Sequence, residues 1–314
     1  MLSPTPSSSS TRTTTPPTRP VRPPPCLLAL QPAATWAAVL GPDSQACSFI
    51  GRTVWLGAQV LSVYLDHLLA ASRAQHRAQN QRAIDLGSGT GLVALALANL
   101  GYDTLATDVD AIANGVLAQN VTENADRVTT NGRGRGRIRA AALDWFTFDR
   151  DAWRWPSSGE DDDDQDGGDA NSDRGRQVDL ITTADTVYDP SLSEPLLRTL
   201  HGLSLLSSSS SSGSPSPPPI YLALEARDPA LIASFFQLAA SSTFGFKCSR
   251  IDPMRIKKLV ESEKGTLAWQ DEADWDGVEL WKLVLSKREL NHQKTSRRQL
   301  RQQALLSGDT TAEG

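Results

Sequence analysis

The chain is expected to fold as an α/β protein built on a mostly parallel sheet with helices on both faces, and three observations lead there. Short apolar runs alternate with segments of helical periodicity between about Leu27 and Leu290. A run ending in an acid, Ile84-Asp85-Leu86, passes through Gly87-Ser88-Gly89-Thr90-Gly91 directly into a helical pattern. The last two apolar runs follow the alternating series and are separated by a polar segment containing Trp269 and Trp275, which fits an antiparallel hairpin at one edge of the sheet.

In chain order, Arg82 to Leu86 reads as the first strand, and Leu92 to Leu100 as a helix with Leu92, Leu95, Ala96 and Asn99 at helical spacing. Tyr102 to Thr107 is the next strand and Asp110 to Asn124 the next helix. An apolar Ile138 to Leu143 stretch follows, then strands at Val178 to Thr183, Ile220 to Leu224 and Phe244 to Ile251, with helices around Leu192 to Leu203 and Pro229 to Ala240. Glu279 to Ser286 alternates and is read as the closing edge strand.

Other parts of the chain lack the composition to bury a core. Residues 1–25 are Pro, Ser, Thr and Arg with little that is apolar, and read as a disordered arm. A mitochondrial presequence competes, on Arg12, Arg19 and Arg22 without an acid, but the prolines oppose the amphipathic helix such signals need. Residues 156–177 contain Glu160, Asp161, Asp162, Asp163, Asp164, Asp166, Asp169 and Asp173 and read as a solvated acidic insertion. Residues 207–219 are serines followed by prolines, a flexible loop, and 291–314 form a polar tail, so 26–290 is expected to be a single domain carrying two insertions.

These acids account for more than the formal net charge of −5, leaving the folded part near neutral and giving no basic stripe for a nucleic-acid partner. No apolar run approaches the roughly 20 residues that span a bilayer. Cys26, Cys47 and Cys248 are odd in number and far apart, and His67, His76, His201 and His292 are scattered, so an intracellular, reduced protein without a metal site is expected.

The chemistry concentrates at the glycines. A strand that ends beside an acid and turns through Gly87-x-Gly89-x-Gly91 into a helix lets backbone amides approach a ligand at the carboxyl end of the sheet. The dinucleotide fingerprint GxGxxG would need its third glycine at Leu92 and is absent. GxGxG preceded by Asp85 suits the amino-acid part of S-adenosylmethionine instead. The second strand ends at Thr107-Asp108, where a carboxylate about 20 residues past the glycines can accept both ribose hydroxyls. Leu143-Asp144-Trp145, one strand further on, is expected to bring a carboxylate to the adenine amine and an indole onto its ring.

With Gly51-Arg52-Thr53-Val54-Trp55 ahead of the glycines, Asp144-Trp145 after them, and Asp185-Thr186-Val187-Tyr188 after a later strand, the chain resembles the family-16 seven-strand protein-lysine methyltransferases. The resemblance covers roughly Cys47 to Ser286 apart from the insertions. It implies a Rossmann-like seven-strand sheet, with Trp55 near the cofactor and Asp185 to Tyr188 at the substrate side. Glu225-Ala226-Arg227 looks like the family's Glu-x-Arg segment. Asp85 stands where many members have Glu, and the two insertions, unusual for the family, are expected to move or cover the substrate groove. The implied activity is transfer of methyl from S-adenosylmethionine to a lysine of a protein substrate, elongation factors and chaperones being known substrate classes. Asp185 and Tyr188 are then the catalytic candidates, and Trp55, Asp85, Gly87, Gly89, Gly91, Asp108, Asp144 and Trp145 the cofactor-binding ones. A monomer in the cytoplasm, or in the nucleus, is the expected setting. Two other classes stay open: a small-molecule methyltransferase with a closed pocket, and a non-catalytic binding module that uses the basic tail to hold a partner.

Overall fold

The computed structural model describes residues 54–74, 81–130, 136–156, 177–208, 216–262, 271, 273, 275–290 and 295. The expected arm, most of both insertions and the tail lie outside the described residues, as do Gly51, Arg52 and Thr53 of the upstream motif.

Seven strands form one sheet. They are β1 (Arg82–Leu86), β2 (Asp103–Asp108), β3 (Arg137–Ala142), β4 (Leu180–Ala184), β5 (Ile220–Glu225), β6 (Phe246–Arg250) and β7 (Val278–Leu285), in the order β3-β2-β1-β4-β5-β7-β6. The first five pair in parallel, and β7 runs antiparallel to both neighbours, with Ile220 opposite Leu283 and Cys248 opposite Leu283 on its other side.

This corrects one expectation. The alternating segment from Glu279 is not the edge strand: it inserts between β5 and β6, and β6 forms the edge. The burial pattern shows why. Val278, Leu280, Leu283 and Leu285 are buried, whereas in β6 Phe246 alone is buried and Lys247, Ser249 and Arg250 are exposed.

The inner parallel strands β1, β4 and β5 are buried on both faces and alternate between two cores. Ala83, Leu180, Tyr221 and Ala223 face one side, against α1 (Leu56–Ala74), α2 (Leu92–Asn99) and α7 (Pro253–Val260). Ile84, Ile181, Leu222 and Leu224 face the other, against α5 (Pro190–Ser207) and α6 (Pro229–Ala240). The helix expected over 110–124 is segmented: α3 (Asp110–Ile112), a wide turn over Ala113–Leu117 in which Gly115 leaves helical geometry (φ −104, ψ −114), then α4 (Ala118–Thr130).

Asp-Pro pairs start three of the helices. Asp189, Asp228 and Asp252 each accept a backbone N–H of the first turn through the side chain, and the following proline occupies a position whose own N–H would have no partner.

At the amino end of the sheet a polar clasp closes the protein. Arg139 pairs with Asp103 at 3.1 Å and donates to the Pro156 carbonyl, while the buried Trp155 donates its indole N–H to Asp103 at 3.2 Å. Arg82 lies over the Trp155 ring, 5.1 Å from its centre. Nearby, Val178 donates its N–H to the Ser207 hydroxyl at 2.9 Å. The flanks of both insertions therefore sit at the end of the sheet opposite the glycine turn, because crossovers between parallel strands must return to the amino end before re-entering the sheet, while the insertions expected to move or cover the substrate groove lie outside the described residues.

Candidate functional site

The strand order reverses between β1 and β4, and the carboxyl ends of β1, β2 and β4 open there into a cavity of about 280 Å³. Nine of the ten residues singled out from the sequence line it: Trp55, Asp85, Gly87, Gly89, Asp108, Asp144, Trp145, Asp185 and Tyr188.

Gly91 is the exception. It takes the left-handed conformation (φ 86) at the start of α2, and a Cβ there would lie 2.8 Å from a methyl of Leu117, so it packs α2 against the wide turn rather than facing the cavity. Gly87 (φ 66) is crowded too: a Cβ would lie 2.7 Å from the Thr186 methyl and 3.1 Å from the Trp145 ring.

Asp108 is held before any ligand arrives. One carboxylate oxygen accepts the Gly89 N–H and the other the Val109 N–H, both at 2.8 Å. Each oxygen keeps a lone pair for a hydroxyl. Burial raises this carboxyl above its ordinary range, against the lowering effect of the two amides.

Asp85 is 2% exposed and accepts the Thr182 hydroxyl at 2.6 Å. Burial pushes its carboxyl up to about 7, against the hydrogen bonds that pull it down. The Thr107 hydroxyl donates to the Asp85 backbone carbonyl at 2.8 Å and so fixes the strand end. Asp144 is exposed and caps its own turn by accepting the Phe146 N–H at 2.9 Å, leaving Trp145 half-buried against the core.

Asp185 has the most constrained setting. It takes φ 57 as a non-glycine residue, and its carboxylate accepts the Ala58 N–H at 3.0 Å, at the amino end of α1. Gly57 beside it has no room for a side chain, since a Cβ would lie 2.5 Å from Asp185 Oδ1. Burial and the neighbouring Glu225 push this carboxyl up to about 7 against the Ala58 amide and Arg227.

A second cavity of about 200 Å³ adjoins the first and shares Trp55, Asp185 and Tyr188 with it; Glu225 and Arg227 complete its lining. Tyr188 is 55% exposed at the mouth. Glu225 and Arg227 form an ion pair at 2.6 Å, and the Arg227 guanidinium lies 5.3 Å from the centre of the Trp55 ring.

Residues the sequence reading missed include Ala58, Val109, Ile112, Phe146 and Leu192, all lining the first cavity. Val109 and Phe146 carried a signal, since each is an apolar residue directly after a predicted ligand segment and both are exposed, at 49% and 56%.

Among the described residues no group of three or more His, Cys, Asp or Glu is placed to hold a metal ion, and no helix is long and apolar enough to cross a membrane. The donor set fits S-adenosylmethionine: a glycine turn that a Cβ would obstruct, a half-buried carboxylate with free lone pairs at the end of β2, and aromatic and aliphatic side chains around them.

Residues 42–153, about a third of the chain, match the family model described as lysine methyltransferase. The match runs from before α1 to beyond β3 and ends ahead of Asp185. Similar solved structures include a magnesium protoporphyrin IX methyltransferase from Synechocystis PCC 6803 with bound SAM (13% identity, covering 75% of this chain and 86% of that one, TM-score 0.38). A TehB-like SAM-dependent methyltransferase from Corynebacterium glutamicum ATCC 13032 Kitasato is 15% identical over 72% of this chain and 98% of that one, with TM-score 0.38. A ribosomal protein L11 methylase from Lactobacillus delbrueckii subsp. bulgaricus is 14% identical over 74% and 80%, with TM-score 0.37. Residues 42–153 are thus similar to the lysine methyltransferase family, and within that stretch the glycine turn and Asp108 meet at the switch point of a sheet whose donor set fits S-adenosylmethionine.

Proposed function

We propose that the chain methylates a lysine side chain of a protein substrate, and the observation that carries this is the pair of adjoining cavities sharing Trp55, Asp185 and Tyr188. The first takes the cofactor, with Asp108 on the ribose hydroxyls, Asp144 and Trp145 at the adenine, and Asp85, Gly87 and Gly89 around the amino-acid part. Gly91 supports the turn. The second, lined by two rings, two carboxylates and an arginine, suits a long aliphatic chain with an amine at its tip.

S-adenosylmethionine supplies a methyl group on a sulfonium leaving group, and the protein must present a neutral amine in line with it. Neutralising a lysine of pKa about 10.4 at pH 7 costs roughly 4 to 5 kcal/mol. A carboxylate beside the amine favours the charged form, so Asp185 does not serve by lowering the substrate's pKa. Held by the α1 amide, it stands as a fixed group where positive charge grows on nitrogen. Tyr188 walls the channel and orients the amine.

We take residues 26–290 as one domain acting as a cytoplasmic monomer, with a translation elongation factor as the first candidate substrate and no nucleic-acid partner. Labelled methyl transfer into a cell extract, with wild type compared with Asp185→Asn and Tyr188→Phe, tests the reading. A discrete labelled protein band that falls about tenfold or more in the variants, while cofactor affinity by calorimetry is retained, is the expected result. Label appearing only in small molecules would overturn it.

A further inference from the structure

We propose that Arg227 is a built-in occupant of the second cavity, a cationic side chain that holds the substrate's place on the Trp55 ring and the Glu225 carboxylate and is exchanged for it on binding. The proposal rests on the lysine reading above, which assigns that cavity to an amine.

The geometry carries the argument. Arg227 follows β5 by two residues, and its N–H donates to the Glu225 carbonyl at 2.8 Å, folding the backbone back so that both side chains enter the same space. The guanidinium pairs with Glu225 at 2.6 Å and lies 5.3 Å from the Trp55 ring centre. Those two contacts, a carboxylate and an indole face, are the pair that recognises an alkylammonium group. The same side chain is 62% exposed while Glu225 is 27% exposed, so the cation sits outermost and has solvent to move into, whereas the carboxylate stays in the wall.

An alternative role would leave Arg227 in place and use its charge to help deprotonate the incoming amine. Its pairing with Glu225 at 2.6 Å opposes that, because the two charges largely cancel at the distance of the cofactor cavity. The exchange reading predicts discrimination instead: only a side chain that replaces both contacts offsets the loss of the internal pair, so a cationic chain long enough to reach Trp55 is admitted and short or neutral chains are not.

The test uses n-butylammonium as the probe, titrated against the full chain with the Trp55 indole resonance followed by NMR and assigned with Trp55→Phe. Arg227→Met should tighten probe binding roughly two- to fivefold, the range of a partly exposed cation–π contact. Arg227→Lys, which keeps a cation, should bind as wild type does, and Glu225→Gln should weaken binding. Cofactor affinity by calorimetry shows that each variant is folded. Unchanged or weaker binding in Arg227→Met, or equal gains in the Met and Lys variants, would overturn the proposal. A rise in the pH at which transfer begins for Arg227→Met, without tighter probe binding, would assign Arg227 to deprotonation and also overturn it. Probe binding as expected with no transfer to any protein would count against the lysine reading and leave the cavity's occupant in place.

Discussion

Substitution of Gly57 by alanine isolates the contact between Asp185 and α1. Gly57 is the second residue of α1 and has no positive φ, so the backbone accepts alanine; the obstacle is the Asp185 carboxylate, whose oxygens would lie 2.5 and 2.7 Å from the new Cβ. The carboxylate must leave the Ala58 N–H. A hydrogen bond to a charged group is worth about 1.5–3 kcal/mol, and the favourable placement of a negative charge at a helix amino end adds about 0.3–1 kcal/mol. Alanine returns up to about 1 kcal/mol of helix propensity. Gly57→Ala should therefore destabilise by roughly 1–3 kcal/mol in urea denaturation. In an Asp185→Gly background, where the obstacle is gone and the φ of 57 is tolerated, the same change should be neutral or stabilise by up to about 1 kcal/mol. Equal costs in the two backgrounds would refute the coupling, and with it the idea that Asp185 holds the end of α1 that bears Trp55.

Three further outcomes follow from the site and the clasp. Asp85 and Asp185 both sit near 7 when folded and near 3.8 when unfolded, so the folded state holds protons the unfolded state has lost. Without cofactor, stability should fall as pH rises from about 4 to about 7, by at most about 4 kcal/mol for each of these two groups, with the raised Asp108 adding in the same direction, and Asp85→Asn should reduce that slope in thermal melts taken across the range. A slope unchanged by the substitution would place the titration elsewhere. Gly87→Ala forces a side chain into φ 66 against Thr186 and Trp145; about 1–2 kcal/mol of stability and at least about tenfold in cofactor affinity should be lost, by melts and calorimetry. Trp155→Phe removes the indole N–H from Asp103 and should cost about 1–3 kcal/mol, while cofactor affinity stays within about twofold because the clasp lies at the far end of the sheet. A larger fall in affinity would show the two ends to be coupled.

What could be read in the sequence was what is local. The glycine turn and Asp108 were legible because a strand end, a turn and a helix start follow one another within a few residues. The Asp185 contact was not, because it joins residues separated by 127 positions and Gly57 looks like any glycine early in a helix. The order of β6 and β7 is likewise a long-range pairing: both segments alternate, and only the number of buried faces distinguishes an inner strand from an edge. Helix α7 also has a trace in the sequence, Asp252-Pro253 at its start with Ile256 and Val260 four apart on its buried face, within the polar segment that contains Trp269 and Trp275. Helix α1 has a sequence trace in the apolar run behind Trp55, where Val60, Leu61, Tyr64 and Leu65 recur at helical spacing and are buried.

The clasp of Trp155, Arg139 and Asp103 also makes the protein convenient to handle. Chain added between Pro156 and Gln177 is tethered at those two residues, on the side of the sheet away from the cavity mouth, and lengthening a flexible connection adds only about 0.6 kcal/mol per doubling of its length. A dye or surface-coupling tag grafted there would hold the protein with Tyr188 and the cavity mouth away from a bead or chip, so that even a bulky molecule could still approach them.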